Sequence, residues 1–276
     1  MNEWLIDNES VIRLGFFIVV LLLVMAAEFI FPRRLHDMLR PLRWKNNLLL
    51  VALNALVLRI LLPGLVIASA YYAAKHNIGI FNYFKPGPIL SAVLSVLLLD
   101  MAIYWQHRIF HRVPIFWRLH RLHHSDIEYD VTTGVRFHPI EIVLSFLLKS
   151  LLVVVIGVPV IGVIIFEIIL NACAMFNHGN INLPKKIDFY LRKVIVTPDM
   201  HRVHHSVKAN EMHRNFGFNI SIWDRIFGSY KDQPQAEHTD MQIGLKEFRS
   251  LQEQSLLNLL KQPFVYNRQN KTAVKN

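Results

Sequence analysis

Two short tripods, His120-Arg-Leu-His123-His124-Ser and His201-Arg-Val-His204-His205-Ser, are near copies of one another, and His107, His111, His138 and His178 flank them. Histidines at i, i+3 and i+4 share one helical face, so each tripod can converge several imidazoles on one metal. Ten of the fourteen histidines belong to this set. The remaining four, His36, His76, His213 and His238, fall in polar loops or the tail, where a solvated or hydrogen-bonded histidine is the better reading.

Ten imidazoles exceed what one ion coordinates, so two metals are implied. Neutral imidazole suits iron, zinc, copper and nickel alike. Catalytic zinc takes three protein ligands and a water, and structural zinc often takes thiolates. So many nitrogen donors with a single cysteine, Cys173, therefore point to a redox pair, with iron foremost and zinc conceivable in purified material. Neutral ligands leave the metals' positive charge to be offset by nearby carboxylates, for which Asp126, Glu128, Asp130, Glu141, Asp199 and Asp224 are candidates. Their competing role is a helix cap or a surface acid.

Local signals place these residues on helices. Thr197-Pro198-Asp199 supplies a cap, a proline at the first helical position and an acid in the first turn, directly ahead of His201. Pro114 stands similarly before His120, while His107 and His111 are spaced i, i+4 on the preceding helix.

The frame that must hold them is a membrane bundle. At 276 residues, 53% hydrophobic and mean hydropathy +0.31, the chain is too apolar for an ordinary soluble domain and suits one embedded unit. Val11 to Phe31 is long enough to span and too long for a signal peptide. Asn47 to Tyr72 is a second span, with Arg59 snorkelling or pairing and Pro63-Gly64 as a break. Pro88 to Trp105 is a third that runs straight into His107. Ile140 to Phe176 is interrupted by Lys149 and Gly157-Val-Pro159, which suits two short helices, either a full crossing and return or a partly inserted hairpin. The fold class is therefore all-α, a bundle of four to five membrane helices with a histidine-rich cap. Its expected divisions are 1–90 for the first helices and basic loop, 91–235 for the catalytic region, and 236–276 for a polar tail that frays from about Gln262.

Charge sets the expected orientation. The basic loop from Arg33 to Lys45 faces Glu3, Asp7 and Glu9 across the first span, which places the N-terminus outside and both tripods and the C-terminus in the cytoplasm. The net charge of +10 is spread along segments flanking the spans and no nucleic-acid motif accompanies it, so anionic lipid rather than nucleic acid is the expected partner.

These residues carry a resemblance. His107-x-x-x-His111, His120-x-x-His123-His124, Arg136-Phe-His138-Pro139-x-Glu141, Asn177-His178-Gly-Asn180 and Thr197-Pro198-x-x-His201-x-x-His204-His205-Ser206 resemble the fatty acid hydroxylase and sterol desaturase superfamily. Asn215-Phe-Gly217 and Trp223-Asp224-Arg225-Ile-Phe227-Gly228-Ser-Tyr230 are similar to its bacterial branch, and coverage runs from about residue 90 to 230. The resemblance implies an inner-membrane, non-haem di-iron enzyme that hydroxylates or desaturates a lipid with O2 and two electrons. It also implies metal ligation by His107, His111, His120, His123, His124, His201, His204 and His205, joined by His138 and His178. Where some hydroxylases carry a second histidine four residues after the first, this chain has Asn182 after His178, and His138 is the residue left to supply the tenth ligand. Phe110, Phe116, Trp117, Phe137 and Trp105 are placed to line a lipid route or an aromatic belt. The length suggests no fused redox domain, so a separate reductase, ferredoxin or cytochrome is the expected electron donor. A membrane metal-dependent lipid hydrolase and a membrane metal-binding or transport protein are the alternative readings.

Overall fold

The protein is described here from a computed structural model covering residues 4, 8–35 and 40–265. Glu3, Asp7, His36 and the tail from 266 lie outside the described residues.

Every regular element among the described residues is helical, and three isolated bridges join extended residues. Helix α1, Glu9–Ile30, is uninterruptedly apolar from Leu14 to Ala27, and its 22 residues rise about 33 Å, enough for a hydrocarbon core. Helix α2, Arg40–Leu61, stops at Pro63-Gly64, where Gly64 takes φ +62°, and α3, Leu65–Lys75, continues beyond the break. Arg59 is exposed on the last turn of α2, as a snorkelling arginine would be. A short α4, Ile80–Phe84, leads to α5, Pro88–Arg112, whose 25 residues carry His107 and His111 on the final turns.

The apolar stretch after His138 is two helices, α7, Pro139–Ile156, and α8, Val160–Asn177. Gly157 turns between them at φ +75°, and a Cβ there would meet Asn82 Nδ2 at 2.9 Å and Ile78 O at 3.1 Å, so the tip is packed beneath α4. Among the described residues five helical segments are long and apolar enough to cross a membrane: Glu9–Ile30, Arg40–Phe84, Pro88–Arg112, Pro139–Ile156 and Val160–Asn177. The protein is an integral membrane protein of all-α class with a cap built from the segments between and after the spans.

That cap is tied to the spans by buried ions. Arg43 of α2 donates Nε and Nη2 to the two Asp126 oxygens at 2.6 and 2.8 Å and Nη1 to Asp130 at 2.9 Å. Arg136 bridges Leu122 O, Ser125 Oγ and Asn47 Oδ1. At the base of α1, Glu28 accepts the backbone N–H groups of Val131 and Asn180 and pairs with Arg40 at 2.9 Å. Within the bundle Glu167 of α8 pairs with Lys149 of α7 at 2.5 Å and with Arg13 of α1, which also meets Glu9 at 2.8 Å. A charge in a span needs such partners.

Gln262 departs from the expected fraying. It is 1% exposed, its Oε1 accepts from Ser125 Oγ at 2.8 Å, and its carbonyl accepts from Arg121. Helix α13, Leu256–Lys261, delivers it there by packing Leu259 against Leu50 and Leu122. Burial of these leucines outweighs the polar composition around them.

Candidate metal centre

Helix α6, Pro114–His124, starts at the expected proline and buries the whole segment from Leu119 to His124. Helix α10, Pro198–His204, starts as its sequence indicates, with Thr197 Oγ1 accepting the Met200 N–H at 3.4 Å. The ends of α5, α6, α8 and α10 converge, so all the histidines they carry face one interior.

Nine of the ten expected histidines form two adjoining groups. His107, His111, His120, His124 and His204 form one, and His123, His178, His201 and His205 form the other; in each, the presented nitrogens lie within 4.8 Å of one another. All nine are buried. The groups touch through the stacked His124 and His205 rings, whose centroids are 4.5 Å apart.

The second nitrogen of several rings decides the tautomer. Nδ1 of His107 faces Phe216 O at 2.9 Å, that of His204 faces Arg214 O at 2.7 Å, and that of His178 faces Ala174 O at 2.7 Å. Nδ1 of His120 faces Glu141 Oε1 at 2.7 Å. An oxygen acceptor requires Nδ1 to carry the proton, which leaves Nε2 as a lone pair. The Nε2 atoms of His107, His120 and His204 are buried with no partner, as are both nitrogens of His111, His124 and His201. His178 Nε2 lies 3.2 Å from Nε2 of both His123 and His205. Buried nitrogens without partners are costly, and the lone pairs that the fixed tautomers of His107, His120, His178 and His204 turn inward fit a cation at the meeting point.

Electrostatics agree. Burial, joined by neighbouring imidazoles, pushes His123, His124, His201, His204 and His205 well below the ordinary histidine value, and burial brings His120 and His178 down to about 3. All seven are therefore neutral near pH 7, the form that ligates metal.

His138 departs from the expected ten. It caps α7, its Nδ1 accepting the Ile140 N–H at 3.2 Å and its Nε2 facing Leu260 O at 3.3 Å, so both nitrogens are turned away from the two groups. The His-Pro step selects this cap, since proline at the first helical position leaves the preceding residue extended. His76 is exposed, and His213 and His238 lie outside the groups, although the His213 ring sits 5.6 Å from that of His111.

Among the carboxylates, Glu141 alone of Asp126, Glu141, Asp199 and Asp224 hydrogen-bonds a histidine of the two groups. Asp126 holds Arg43, Thr133 and Asn47 instead; burial would raise its carboxyl, but Arg43 and Arg136 hold it below the usual range. Asp130 shares Arg43, and Asp199 pairs with Arg33 and Arg202. Asp224 acts through the backbone, accepting Phe216 N–H at 2.7 Å and Gly217 N–H at 2.8 Å and thereby placing the Phe216 carbonyl under His107. Burial pushes its carboxyl up to about 6.

Sequence reasoning missed these three carbonyls, because a backbone acceptor has no residue type. Asn215 was the available signal: at φ +54° it binds Met200 O and the Lys231 backbone, turning Arg214 O and Phe216 O toward the histidines. Gly134 was also missed.

A cavity of about 450 Å³ opens from His107 and His120 into the bundle. Phe110 and Phe137 line it, and Phe137 stacks on His123 at 4.6 Å. Trp105, Phe116 and Trp117 are not among the lining residues; Trp117 packs on His111 and His124 from outside and Trp105 on Phe227.

Comparison with known proteins agrees with this geometry. The sequence model of the family described as fatty acid hydroxylase matches residues 92–229, half of the chain. The chain is 28% identical over 153 residues to an ornithine lipid hydroxylase of Rhizobium tropici, an alignment covering 55% of the chain and 45% of that protein. It is 29% identical over 245 residues to human alkylglycerol monooxygenase, covering 83% and 48%. It is 30% identical over 161 residues to a Delta(7)-sterol 5(6)-desaturase of Aspergillus fumigatus, covering 57% and 44%. The chain thus spans about half the length of these relatives. No solved structure matches. With the family model matching the half of the chain that carries both histidine groups, and those groups buried and suited to a pair of metals, the chain belongs to the fatty acid hydroxylase family.

Proposed function

We propose that the protein is a membrane-bound oxygenase that hydroxylates or desaturates a C–H bond of a lipid, using O2 and two electrons at a pair of iron ions. The observation that carries this reading is the convergence of unpartnered Nε2 atoms at the head of an apolar cavity within the bundle. In this reading His107, His111, His120, His124 and His204 hold one ion, and His123, His178, His201 and His205 hold the other. The relatives' names, a lipid hydroxylase, an alkylglycerol monooxygenase and a sterol desaturase, support the reaction class.

Mechanism follows from what the chain contributes. Bound iron supplies O2 reduction and an oxidant for an unactivated C–H bond. The carbonyls of Phe216, Arg214 and Ala174 and the Glu141 carboxylate hold protons on the outer nitrogens of four rings, so those rings keep fixed tautomers and orientations. Phe137 braces His123, and with Phe110 it forms an apolar wall that admits a hydrocarbon and keeps water from the bond being attacked. Substrate arrives laterally from the bilayer between the spans, and the segment 91–235 carries the chemistry. The N-terminus is outside and the histidines face the cytoplasm of a bacterial inner membrane, where a separate reductase, ferredoxin or cytochrome docks on the basic face.

The test is metal content of detergent-purified protein together with O2 uptake after reduction and addition of mixed membrane lipid. Two irons per chain with lipid-dependent uptake are expected. Metal binding without O2 uptake after iron reconstitution would refute the oxygenase reading. Turnover with an acidic carrier should fall as salt rises.

A further inference from the structure

Every histidine of the two groups is at most 6% exposed, so an electron bound for a metal there must cross other side chains. Phe110, Tyr129 and Phe216 touch the groups from outside and are themselves buried. Phe137 and Phe218 are half-buried but line the apolar cavity. Trp117 and His213 remain, each half-buried and neither among the cavity's lining residues. The Trp117 ring lies 5.0 Å from that of His111 and 5.5 Å from that of His124, and the His213 ring lies 5.6 Å from that of His111. Trp117 and His213 are themselves 6.3 Å apart. Both rings thus meet the five-histidine group, whereas Tyr129, 2% exposed, covers His178 and His205 of the other.

The surface around these two rings is basic. Arg112, at the end of α5, is exposed, and burial followed by its charge lowers the His213 pKa, which places it beside that ring. Arg214 follows His213 and is exposed, and Arg118 follows Trp117 and is half-buried. Arg118 Nε donates to Pro263 O at 2.6 Å and Arg214 Nη1 to Gly228 O at 3.0 Å, carbonyls that anchor the guanidiniums without cancelling their charge. Among the described residues none of the three arginines takes part in an ion pair. The nearby acid Glu247 acts on Arg121 instead. Val113 is 36% exposed and stands one turn from Trp117 on the same face of α6, adding an apolar contact. An aromatic and apolar centre rimmed by arginines is the composition of a protein-docking surface, and its charge selects an acidic partner.

We infer that Trp117 and His213 are the electron entrance to the five-histidine group, and that Arg112, Arg118 and Arg214 around them dock an acidic electron-carrier protein. Each transfer takes one electron from the reduced cofactor of the carrier, which is oxidised, and reduces one ferric ion to ferrous; two transfers supply the two electrons of a turnover. This deepens the oxygenase reading and rests on it for the electron flow but not for the docking.

The experiment first measures equilibrium binding of two acidic probes, a plant-type [2Fe–2S] ferredoxin and a flavodoxin, to the zinc-loaded protein in detergent over a range of salt. Anaerobic reduction of the iron-loaded protein by the bound probe is then followed by stopped flow. Binding should weaken as salt rises, and Arg112→Glu with Arg214→Glu should weaken it about ten-fold or more. Arg112→Glu alone should weaken it about three-fold, and serves should the pair fail to fold. Lys185→Glu with Lys186→Glu, the same charge change at exposed positions of α9, Lys185–Leu191, should change it about two-fold at most. Trp117→Leu should leave docking and metal content unchanged and slow the limiting transfer several-fold, and Trp117→Phe, which keeps a ring beside His111, should recover most of the rate. Binding of neither probe, or equal weakening by both pairs of reversals, would overturn the inference even if O2 is consumed. Unchanged transfer in Trp117→Leu would refute the entrance. Arginine-dependent docking without reduction of the iron would uphold the surface and refute the oxygenase reading instead.

Discussion

Gly134→Ala offers a perturbation whose consequence can be worked from distances. Gly134 lies in the 3-10 turn Thr133–Val135, and a Cβ on it would stand 2.5 Å from Ala174 O, 3.1 Å from Ala174 C and 3.1 Å from His178 Nδ1. Ordinary contact is about 3.5 Å, so the turn and the end of α8 must part by about 1 Å. The turn is anchored, since Thr133 Oγ1 bonds Asp126 at 2.8 Å inside the Arg43 network. The displacement therefore falls on α8 and on the 2.7 Å contact between Ala174 O and His178 Nδ1. Overpacking of this kind costs about 1–3 kcal/mol. Metal sites tolerate about 0.5 Å of error, and losing a partner of a ligating histidine weakens binding about 10- to 100-fold. Competition with a chelator in detergent should show one ion, held by the five-histidine group, at wild-type affinity and the other weakened by that factor. Gly15→Ala is the control, because nothing lies within 4 Å of its Cβ position. If Gly134→Ala kept both ions at wild-type affinity with unchanged thermal stability, the role given to the Ala174 carbonyl would be refuted.

Glu141→Ala should weaken the other ion, in the five-histidine group, by about 10- to 100-fold, and Glu141→Gln should recover much of it by keeping an acceptor for His120; equal losses would point to charge rather than orientation. His204→Ala should remove metal and activity without preventing membrane insertion, whereas His76→Ala, at an exposed position outside both groups, should change neither. Arg43→Met leaves Asp126 and Asp130 buried without their shared cation and should cost about 3–5 kcal/mol in denaturation, with membrane insertion retained. In the bundle, Glu167→Ala strands Lys149 while Arg13 keeps Glu9, so it should destabilise more than Lys149→Met, after which Glu167 still has Arg13; the reverse order in thermal melts would contradict the network.

Much of this protein was written in local order. The spacing of His120, His123 and His124 and of His201, His204 and His205 requires a shared helical face, and Thr197-Pro198 and Pro114 mark where those helices begin. Predominantly apolar stretches mark the spans, and Pro63-Gly64 and Gly157-Val-Pro159 mark where they break. These properties depend on neighbours within a turn or two, so the sequence by itself determined them. Tertiary structure alone decided how nine histidines divide between two groups, because the tripods split: His123 leaves His120 and His124, and His204 leaves His201 and His205. It also decided that His138 caps a helix, that Glu141 rather than Asp126 meets a histidine, and that Phe216, Arg214 and Ala174 supply carbonyls. Each of these is a contact between residues distant in the chain, or to a backbone atom common to every residue, and only the packing of α5, α6, α8 and α10 against one another selects it.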